Sequence, residues 1–172
     1  LLPHNAERRK EIVNMRQVVP NDIFGGDFDL DTISWIIPRL AVTDMCGALS
    51  ATRDDDIYIV NTADEVNTPY DFKLPVEPHE GPDAVREALD VLADVIHEQI
   101  ETTNKDVVVH CFAGMERSVL TCAWYLCKYK NMSMEDAYQA IYDVRPVALD
   151  RRLWVGYQVP ACSLSYESKP SV

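Results

Sequence analysis

The hydrophobic positions of this sequence follow two different spacings, and the two spacings alternate along the chain. Short apolar runs at 40–42, 57–60 and 72–76 and a continuous run at 107–109 are typical of strands in a buried sheet. Between the last two runs, residues 82–103 begin with a proline, which is favoured in a first helical turn. One apolar stripe predicts that this segment is a long amphipathic helix, and it is formed by Val85, Leu89, Leu92, Ile96 and Ile100.

Two further helices are predicted after the last apolar run. One extends from Ser118 to near Asn131, and the next begins after Ser133, whose side chain suits a helix N-cap, and ends before Pro146. A helix-like stretch also lies within residues 1–19. Strands that alternate with helices predict an α/β fold with a central, mostly parallel sheet flanked by helices on both faces. Functional sites of such sheets lie at the carboxyl ends of the strands.

Composition limits the classes of function. The 172 residues carry a net charge of −12 and are 47% hydrophobic, which indicates one folded domain with a substantial core. The negative charge disfavours nucleic acid or an anionic membrane as the main partner, and no apolar run is long enough for a membrane-spanning helix. The five cysteines are odd in number and lack C-x-x-C spacing, which indicates thiols in a reducing compartment. We therefore expect a cytoplasmic protein.

Candidate chemistry is concentrated in the stretch VVVHCFAGMERSVL, residues 107–120. Cys111 follows the continuous apolar run, and Arg117 comes six residues later, where a helix is predicted to begin. Chance alone produces such a pair roughly a quarter of the time in this composition, so the interpretation depends on the surrounding strand, loop and helix. A loop that enters a helix N-terminus turns its backbone N–H groups inward. Those groups form a site for an anion.

Each residue type in this loop has a chemical reason to be there. Inward N–H groups lower the pKa of a cysteine such as Cys111 and make it nucleophilic. Gly114 permits a tight turn, and the planar fork of Arg117 suits two oxygens of a phosphate. Ser118 can donate a hydrogen bond to the sulfur, and His110 is expected to order the loop. The predicted anion-binding residues are Phe112, Ala113, Gly114, Met115, Glu116 and Arg117.

The stretch VVVHCFAGMERS resembles the signature of the cysteine-dependent protein tyrosine phosphatases, His-Cys-x5-Arg-Ser/Thr. The compact size of the chain is similar to that of the dual-specificity branch. The segment at 36–65 is similar to the opening strand, helix and strand of that branch. The segment at 133–146 is similar to its helix ending in Arg-Pro. The resemblance implies a mostly parallel sheet flanked by helices, in agreement with the pattern of hydrophobic positions.

The resemblance also implies a reaction and a domain organisation. The reaction would pass through a phosphocysteine on Cys111 and would need no metal or other cofactor. The partners would be a phosphorylated protein as substrate, with phosphate or another oxyanion bound in the loop. The chain would consist of an N-terminal extension (1–32), a phosphatase catalytic domain (33–158) and a C-terminal tail (159–172).

One role is not filled by the residue that the resemblance requires. The family uses an aspartate, just after the strand that precedes the long helix, as the general acid. That region reads FKLPVEPHEGPD here, and the expected position falls on Pro78 or His79. Glu77, displaced by one residue, is our first candidate for the acid. Glu80 and His79 come next, and Glu116 comes last.

The acidic residue inside the loop also bears on the substrate. Relatives that accept inositol lipids carry lysines there, whereas Glu116 would repel polyanions. We therefore expect phosphotyrosine or another aryl phosphate as substrate, with phosphoserine and phosphothreonine accepted if the pocket is shallow. The missing aspartate leaves open a phosphate-binding module that has lost efficient catalysis. A sulfurtransferase or an arsenate reductase is a weaker alternative.

Other cysteines and arginines have plainer interpretations. Cys122 and Cys127 are expected to pack in the core. Packing is also the first expectation for Cys46, with a redox partnership to Cys111 as the alternative. Three arginines near the end of the last predicted helix are expected to be solvated, with a basic rim for the substrate as the alternative. They are Arg145, Arg151 and Arg152.

Overall fold

The described part of the chain, residues 27–157 of the computed structural model, alternates strands and helices. Its elements are β1 (Ser34–Ile37), β2 (Leu40–Thr43), α1 (Met45–Ala51), β3 (Ile57–Asn61), β4 (Phe72–Lys73), α2 (Pro82–Thr102), β5 (Asp106–His110), α3 (Arg117–Tyr129) and α4 (Met134–Val144). Two short 3-10 turns occur at Pro78–Glu80 and Arg152–Val155. The helix expected within residues 1–19 and the tail at 159–172 lie outside the described residues.

The strands form one five-stranded sheet with the order β1-β2-β5-β3-β4. Only β1 is antiparallel to its neighbour, and the other three pairings are parallel. The predicted α/β fold with a mostly parallel sheet is therefore confirmed. In the register of the central strands, His110 lies beside both Thr43 and Asn61. The residues that follow these three therefore start from one edge of the sheet.

The period-2 alternation of the strands divides the core into two layers. Leu40, Val42, Val107 and Val109 pack with helices α2, α3 and α4. Ala41, Ile59 and Val108 face the other way, against the alanines of α1. Because both faces of β5 are covered, its apolar run is continuous rather than alternating.

The predicted helix boundaries agree with the structure. Helix α2 begins at the proline expected in its first turn, and its apolar stripe is buried except at its last, partly buried member. The Ser133 hydroxyl accepts a hydrogen bond from the backbone N–H of Asp136 at 3.1 Å, as an N-cap should. No helix among residues 27–157 combines the length and the apolar character that crossing a membrane requires.

Two strands differ from the predictions. The antiparallel edge strand β1 was not predicted from the spacing. The strand expected at 72–76 is regular only at Phe72–Lys73. Leu74 and Val76 still donate backbone hydrogen bonds to Asn61 and Thr62, but Pro75 between them has no N–H to donate.

Candidate active site

The predicted nucleophile lies in the loop that joins β5 to α3. Cys111 follows the last residue of β5 and is 2% exposed, and Arg117 is the first residue of α3. The Cys111 sulfur lies 3.2 Å from the Ser118 hydroxyl oxygen. Gly114 has φ +66°, and a Cβ there would approach the Thr43 carbonyl oxygen to 2.5 Å. Glycine is therefore required at this turn both by conformation and by space.

Four consecutive carbonyl oxygens of this loop accept hydrogen bonds from outside it. The donors are the backbone N–H of Met45 to Phe112, the Arg145 guanidinium to Ala113 and Gly114, and the backbone N–H of Leu149 to Met115. Carbonyls that are held outward leave the N–H groups of the loop on the inner side. This is the backbone orientation that the sequence predicts for an anion-binding loop, and anion binding itself stays a prediction.

The pKa of Cys111 is lowered from its ordinary value. Burial alone would raise it, but hydrogen bonds outweigh burial. The Ser118 hydroxyl and the Arg117 charge contribute most, followed by the backbone N–H groups of Ser118 and Gly114. The sulfur is therefore held as a thiolate more readily than a free cysteine, which is the form needed for nucleophilic attack.

His110 is buried directly behind the cysteine. Burial lowers its pKa to about 4, so that the ring is neutral at physiological pH. The Nδ1–H group then donates to the Cys111 carbonyl oxygen at 3.0 Å. This contact links the ring to the loop, and the expected role of His110 in ordering the loop stays a prediction.

Arg145 does not belong to a basic rim. Its side chain is fully buried, and burial lowers its pKa to about 10. Both the expected solvated position and the alternative basic rim are therefore wrong for this residue, because its guanidinium is hydrogen-bonded inside the protein. Besides the two loop carbonyls, it donates to the Leu30 carbonyl at 2.7 Å, the Thr32 carbonyl at 3.0 Å and the Ser34 hydroxyl at 3.1 Å.

A small cavity of about 210 Å³ opens above the cysteine. It is lined by Glu65, Cys111, Phe112, Ala113, Met115, Glu116 and Arg117. All but Glu65 were predicted as catalytic or anion-binding residues. The predicted Gly114 is not part of this lining, and it acts instead through its turn and its carbonyl. Glu65 was missed, although a carboxylate four residues beyond β3 starts from the same sheet edge.

Glu65 forms an ion pair with Arg117, the arginine that is predicted to bind phosphate. Its carboxylate accepts hydrogen bonds from both terminal nitrogens of Arg117, with Nη1 2.8 Å from Oε2 and Nη2 bonded to Oε1. The hydrogen bond from Arg117 is the largest influence on Glu65 and lowers its pKa. The same bond is the largest influence on Arg117 and raises its pKa.

Glu116 also lines the cavity, but its charge is compensated. One carboxylate oxygen lies 2.8 Å from Nε of Arg151, and both side chains are 39% exposed. The expectation that a bare negative charge repels polyanions is therefore wrong as stated. Arg151 is half exposed at this rim, whereas Arg152 is buried and bound to Asp150 and Glu135.

The candidates for the general acid lie beside this cavity rather than in it. Glu77, His79 and Glu80 line a neighbouring cavity of about 700 Å³, together with Asp64. Nδ1 of His79 is 3.4 Å from Oε2 of Glu77. The structure thus brings Glu116 to the Cys111 cavity but not the three residues ranked above it. The role of Glu77 stays a prediction.

The other cysteines within residues 27–157 are placed in the core. Cys122 is fully buried, and burial raises its pKa, while Cys127 is partly buried against the same core. Cys46 is buried in the hydrophobic cluster that also contains Cys111. A redox partnership between these two stays a prediction. No group of His, Cys, Asp and Glu side chains between 27 and 157 has the arrangement of a metal site.

Comparison with known proteins agrees with this geometry. Residues 40–155 match the family model described as dual specificity phosphatase, catalytic domain. Dual specificity protein phosphatase 18 of Pongo abelii is 35% identical over 95 residues, which cover 52% of this chain and 49% of that protein. Dual specificity protein phosphatase 14 of Mus musculus is 36% identical over 63 residues, 37% of this chain and 31% of that protein.

Solved structures show the same fold. Human DUSP28 aligns with a TM-score of 0.62 at 18% identity, over 81% of this chain and 95% of that one. The PTP-2 phosphatase of Cydia pomonella aligns with a TM-score of 0.60 at 21% identity, over 72% of this chain and 86% of that one.

The chain therefore belongs to the dual specificity phosphatase catalytic-domain family, within the cysteine-dependent protein tyrosine phosphatases. The matched segments span about half or less of the length of the curated relatives.

Proposed function

We propose that this protein is a phosphatase that hydrolyses phosphotyrosine in proteins through a phosphocysteine on Cys111. One observation carries the proposal: a buried thiol with a lowered pKa lies in a loop whose four carbonyls from Phe112 to Met115 are hydrogen-bonded to groups outside the loop. Inward N–H groups in this orientation form a concavity suited to an anion. Arg117 adds a positive charge to the lining of the cavity that contains Cys111.

The reaction follows in two steps. The Cys111 thiolate attacks phosphorus, a sulfur–phosphorus bond forms, and the bond from phosphorus to the tyrosine oxygen breaks as that oxygen takes up a proton. Water then attacks the phosphocysteine and gives a proton to the group that donated one in the first step. The sulfur–phosphorus bond breaks with its electron pair returning to sulfur, and phosphate leaves. Ser118 stabilises the departing thiolate with the hydrogen bond that it makes at 3.2 Å. The loop amides and Arg117 bind the equatorial oxygens in both steps.

Glu77 is our proposed donor of the proton to the leaving oxygen, on the basis of its position between the last parallel strand and the long helix. Glu116 lines the correct cavity, but a carboxylate oxygen of it already accepts a hydrogen bond from Arg151. A catalytic acid needs hydrogen-bond reach of the leaving oxygen in the complex with substrate, and such contacts are often absent from a free enzyme.

The lining of the cavity supports an aryl phosphate as substrate. Phe112, Ala113 and Met115 present apolar side chains, and no lysine is among the described residues that line it. A site for inositol polyphosphates needs several cations, and the two carboxylates of this cavity already bind its nearest arginines. We therefore propose a preference for phosphotyrosine over phosphoserine and phosphothreonine.

The test is hydrolysis of phosphopeptides in the presence of a metal chelator. We expect turnover of a phosphotyrosine peptide, with kcat/KM at least about tenfold above that of matched phosphoserine and phosphothreonine peptides. Cys111→Ser abolishes turnover, because a hydroxyl at neutral pH lacks the nucleophilicity of the thiolate. Cys127→Ser is the matched control, since Cys127 lies in α3 outside the cavity, and its activity equals that of the wild type.

Acid quenching during turnover separates the enzyme from a binding module. A phosphatase accumulates protein with one added phosphoryl group on Cys111, which mass spectrometry detects. A chain that binds phosphopeptides without turnover or phosphocysteine is the pseudophosphatase alternative. Turnover that survives Cys111→Ser rules out the proposed mechanism.

A further inference from the structure

The ion pair between Glu65 and Arg117 uses only some of the hydrogen-bond donors of the Arg117 guanidinium. Glu65 takes both terminal nitrogens, Nη1 and Nη2, in an end-on arrangement. Nε of Arg117 has no hydrogen-bond partner among residues 27–157. One edge of the guanidinium, formed by Nε and an adjacent Nη hydrogen, therefore stays available for two phosphate oxygens.

The turn that carries Glu65 is itself held from both sides. The ammonium group of Lys73 donates to the carbonyls of Asp64 and Val66, each at 2.9 Å, and to the Asn67 side chain at 3.1 Å. Lys73 belongs to β4, so its backbone is fixed by the sheet. Because one ammonium group donates hydrogen bonds to three oxygens of residues 64–67, it fixes the conformation of that turn.

A second anchor holds the same turn from β3. The buried Asn61 amide donates to the Val66 carbonyl at 2.7 Å and accepts from the Ala63 N–H at 2.9 Å. Val66 is fully buried, and Glu65 next to it is half exposed. The turn thus projects the Glu65 carboxylate from a fixed base toward the cavity.

We propose that Lys73 and Glu65 are positioning residues that set the orientation of Arg117 for phosphate binding. Lys73 fixes the turn, the turn fixes Glu65, and Glu65 holds the terminal nitrogens so that the remaining edge of Arg117 faces the loop. This inference rests on the proposed phosphatase function. It adds two residues outside the loop that joins β5 to α3, and Lys73 acts on the phosphate only through Glu65.

A different use of the same ion pair makes the opposite prediction. If Glu65 had to leave Arg117 before phosphate could bind, its removal would strengthen anion binding. The end-on geometry disfavours this gate, because the carboxylate does not cover the Nε edge. A carboxylate that holds the arginine in place also reduces the side-chain entropy lost when phosphate binds.

The test compares Glu65→Gln, Lys73→Met and the double variant in the full chain. We expect Glu65→Gln to lower kcat/KM for a phosphotyrosine peptide by roughly threefold to tenfold, because a partly exposed ion pair is lost. Tungstate, used as an unreactive oxyanion, binds more weakly by a similar factor in calorimetry. Lys73→Met has a smaller effect in the same direction on both measurements.

The double variant tests the order of action. Because Lys73 acts through Glu65, the Lys73→Met change has no further effect on tungstate affinity when Glu65 is already Gln. Glu135→Gln is the matched control, since Glu135 also pairs with an arginine, Arg152, away from the cavity, and its activity is unchanged. Glu65→Asp keeps the charge but shortens the side chain, and it recovers part of the lost affinity.

Each contrary result has a distinct meaning. Wild-type tungstate affinity in Glu65→Gln, or a higher affinity, overturns the positioning role, and the higher affinity supports a gate. Additive effects in the double variant overturn the relay from Lys73. A wild-type chain that neither turns over phosphopeptides nor binds tungstate contradicts the proposed function itself, independently of Glu65.

Discussion

The Cys111 loop, residues 111–116, and the segment at 77–80 flank the same end of the sheet, but they are held in very different ways. The loop is fixed from distant parts of the chain: Arg145, Met45 and Leu149 all donate to its carbonyls. The 77–80 segment forms a 3-10 turn whose hydrogen bonds stay within the turn and its flanking glycine. Within residues 27–157, no hydrogen bond joins it to a more distant residue.

The difference separates two parts of the proposed chemistry. A nucleophile in an anion site needs its surroundings fixed before the substrate arrives, since the reacting atoms and amides must already be in place. A proton donor can be supplied by a mobile or exposed segment that approaches only with substrate. We therefore expect large penalties for changes behind the loop and small ones in the 77–80 segment.

The largest effect is expected for Arg145→Met. The change keeps the length of the side chain but removes a hydrogen-bond donor from four carbonyls and from the Ser34 hydroxyl. The Ala113 and Gly114 carbonyls have no other donor among residues 27–157. We expect the free energy of unfolding to fall by about 3–5 kcal/mol. We also expect kcat/KM to fall on the order of a hundredfold, because the loop amides move. Urea unfolding and phosphopeptide hydrolysis measure the two effects.

Arg86→Met is the matched control for this change. Arg86 also donates to a carbonyl, that of Val155 at 2.7 Å, but it is partly exposed and lies on α2. Its loss should cost about 1 kcal/mol or less and leave turnover intact. Equal effects of the two substitutions would show that the loop does not depend on its buried arginine.

A medium effect is expected from two buried groups behind the loop that titrate in opposite senses. Burial lowers the pKa of His110 from 6.5 to about 4, so its contribution to stability is lost as pH falls from 6.5 toward 4. Burial raises the pKa of Asp44 from 3.8 to about 6, so its contribution is lost as pH rises from 3.8 toward 6. Each change amounts to roughly 3 kcal/mol, and the two nearly cancel in the wild type.

Replacing either His110 or Asp44 leaves the pH-dependent contribution of the other to the free energy of unfolding. Relative to the wild type, His110→Asn becomes more stable as pH falls from 6.5 to 4, because only the Asp44 contribution remains. Asp44→Asn shows the opposite slope over the same range. The measurement is the free energy of unfolding in urea at pH 4, 5, 6 and 7. Parallel curves for the wild type and both variants contradict this account.

The sequence predicts the positions of the residues in the Cys111 loop much better than the position of the general acid. Strand, motif and helix are local in the chain, so Cys111, Arg117 and Ser118 were predicted together. What the sequence could not show is what supports them. The sequence predicts a solvated Arg145, because nothing in it indicates that this charge meets carbonyls more than thirty residues away.

Glu65 was missed for a similar reason. It follows β3, and only the parallel register of β3 with β5 brings it beside the cysteine loop. Leu30, within the predicted N-terminal extension, is buried in the same hydrophobic cluster as Cys111, a contact that the sequence pattern does not indicate. The sheet, by contrast, follows from the period of the hydrophobic positions. The strand predicted at 72–76 is shorter in the structure, because Pro75 has no N–H to donate to the sheet.

The smallest effect is expected at the acid. A positioned general acid contributes on the order of 10²–10⁴ in rate, but a carboxylate that lies outside the cavity should contribute less. We expect Glu77→Gln to lower kcat for phosphotyrosine by about tenfold and to remove the basic limb of its pH–rate profile. A phosphate ester with a more acidic alcohol should be affected less, because its leaving oxygen needs less protonation.

Parallel profiles of His79→Asn, Glu80→Gln and Glu116→Gln show whether the basic limb belongs to another residue. Loss of the limb in Glu116→Gln alone would place the acid inside the fixed loop, which removes the contrast between the two regions. An unchanged limb in all four variants means that none of them is the acid. Turnover then proceeds with proton donation from another group or from water, and the 77–80 segment serves only as a wall of its own cavity.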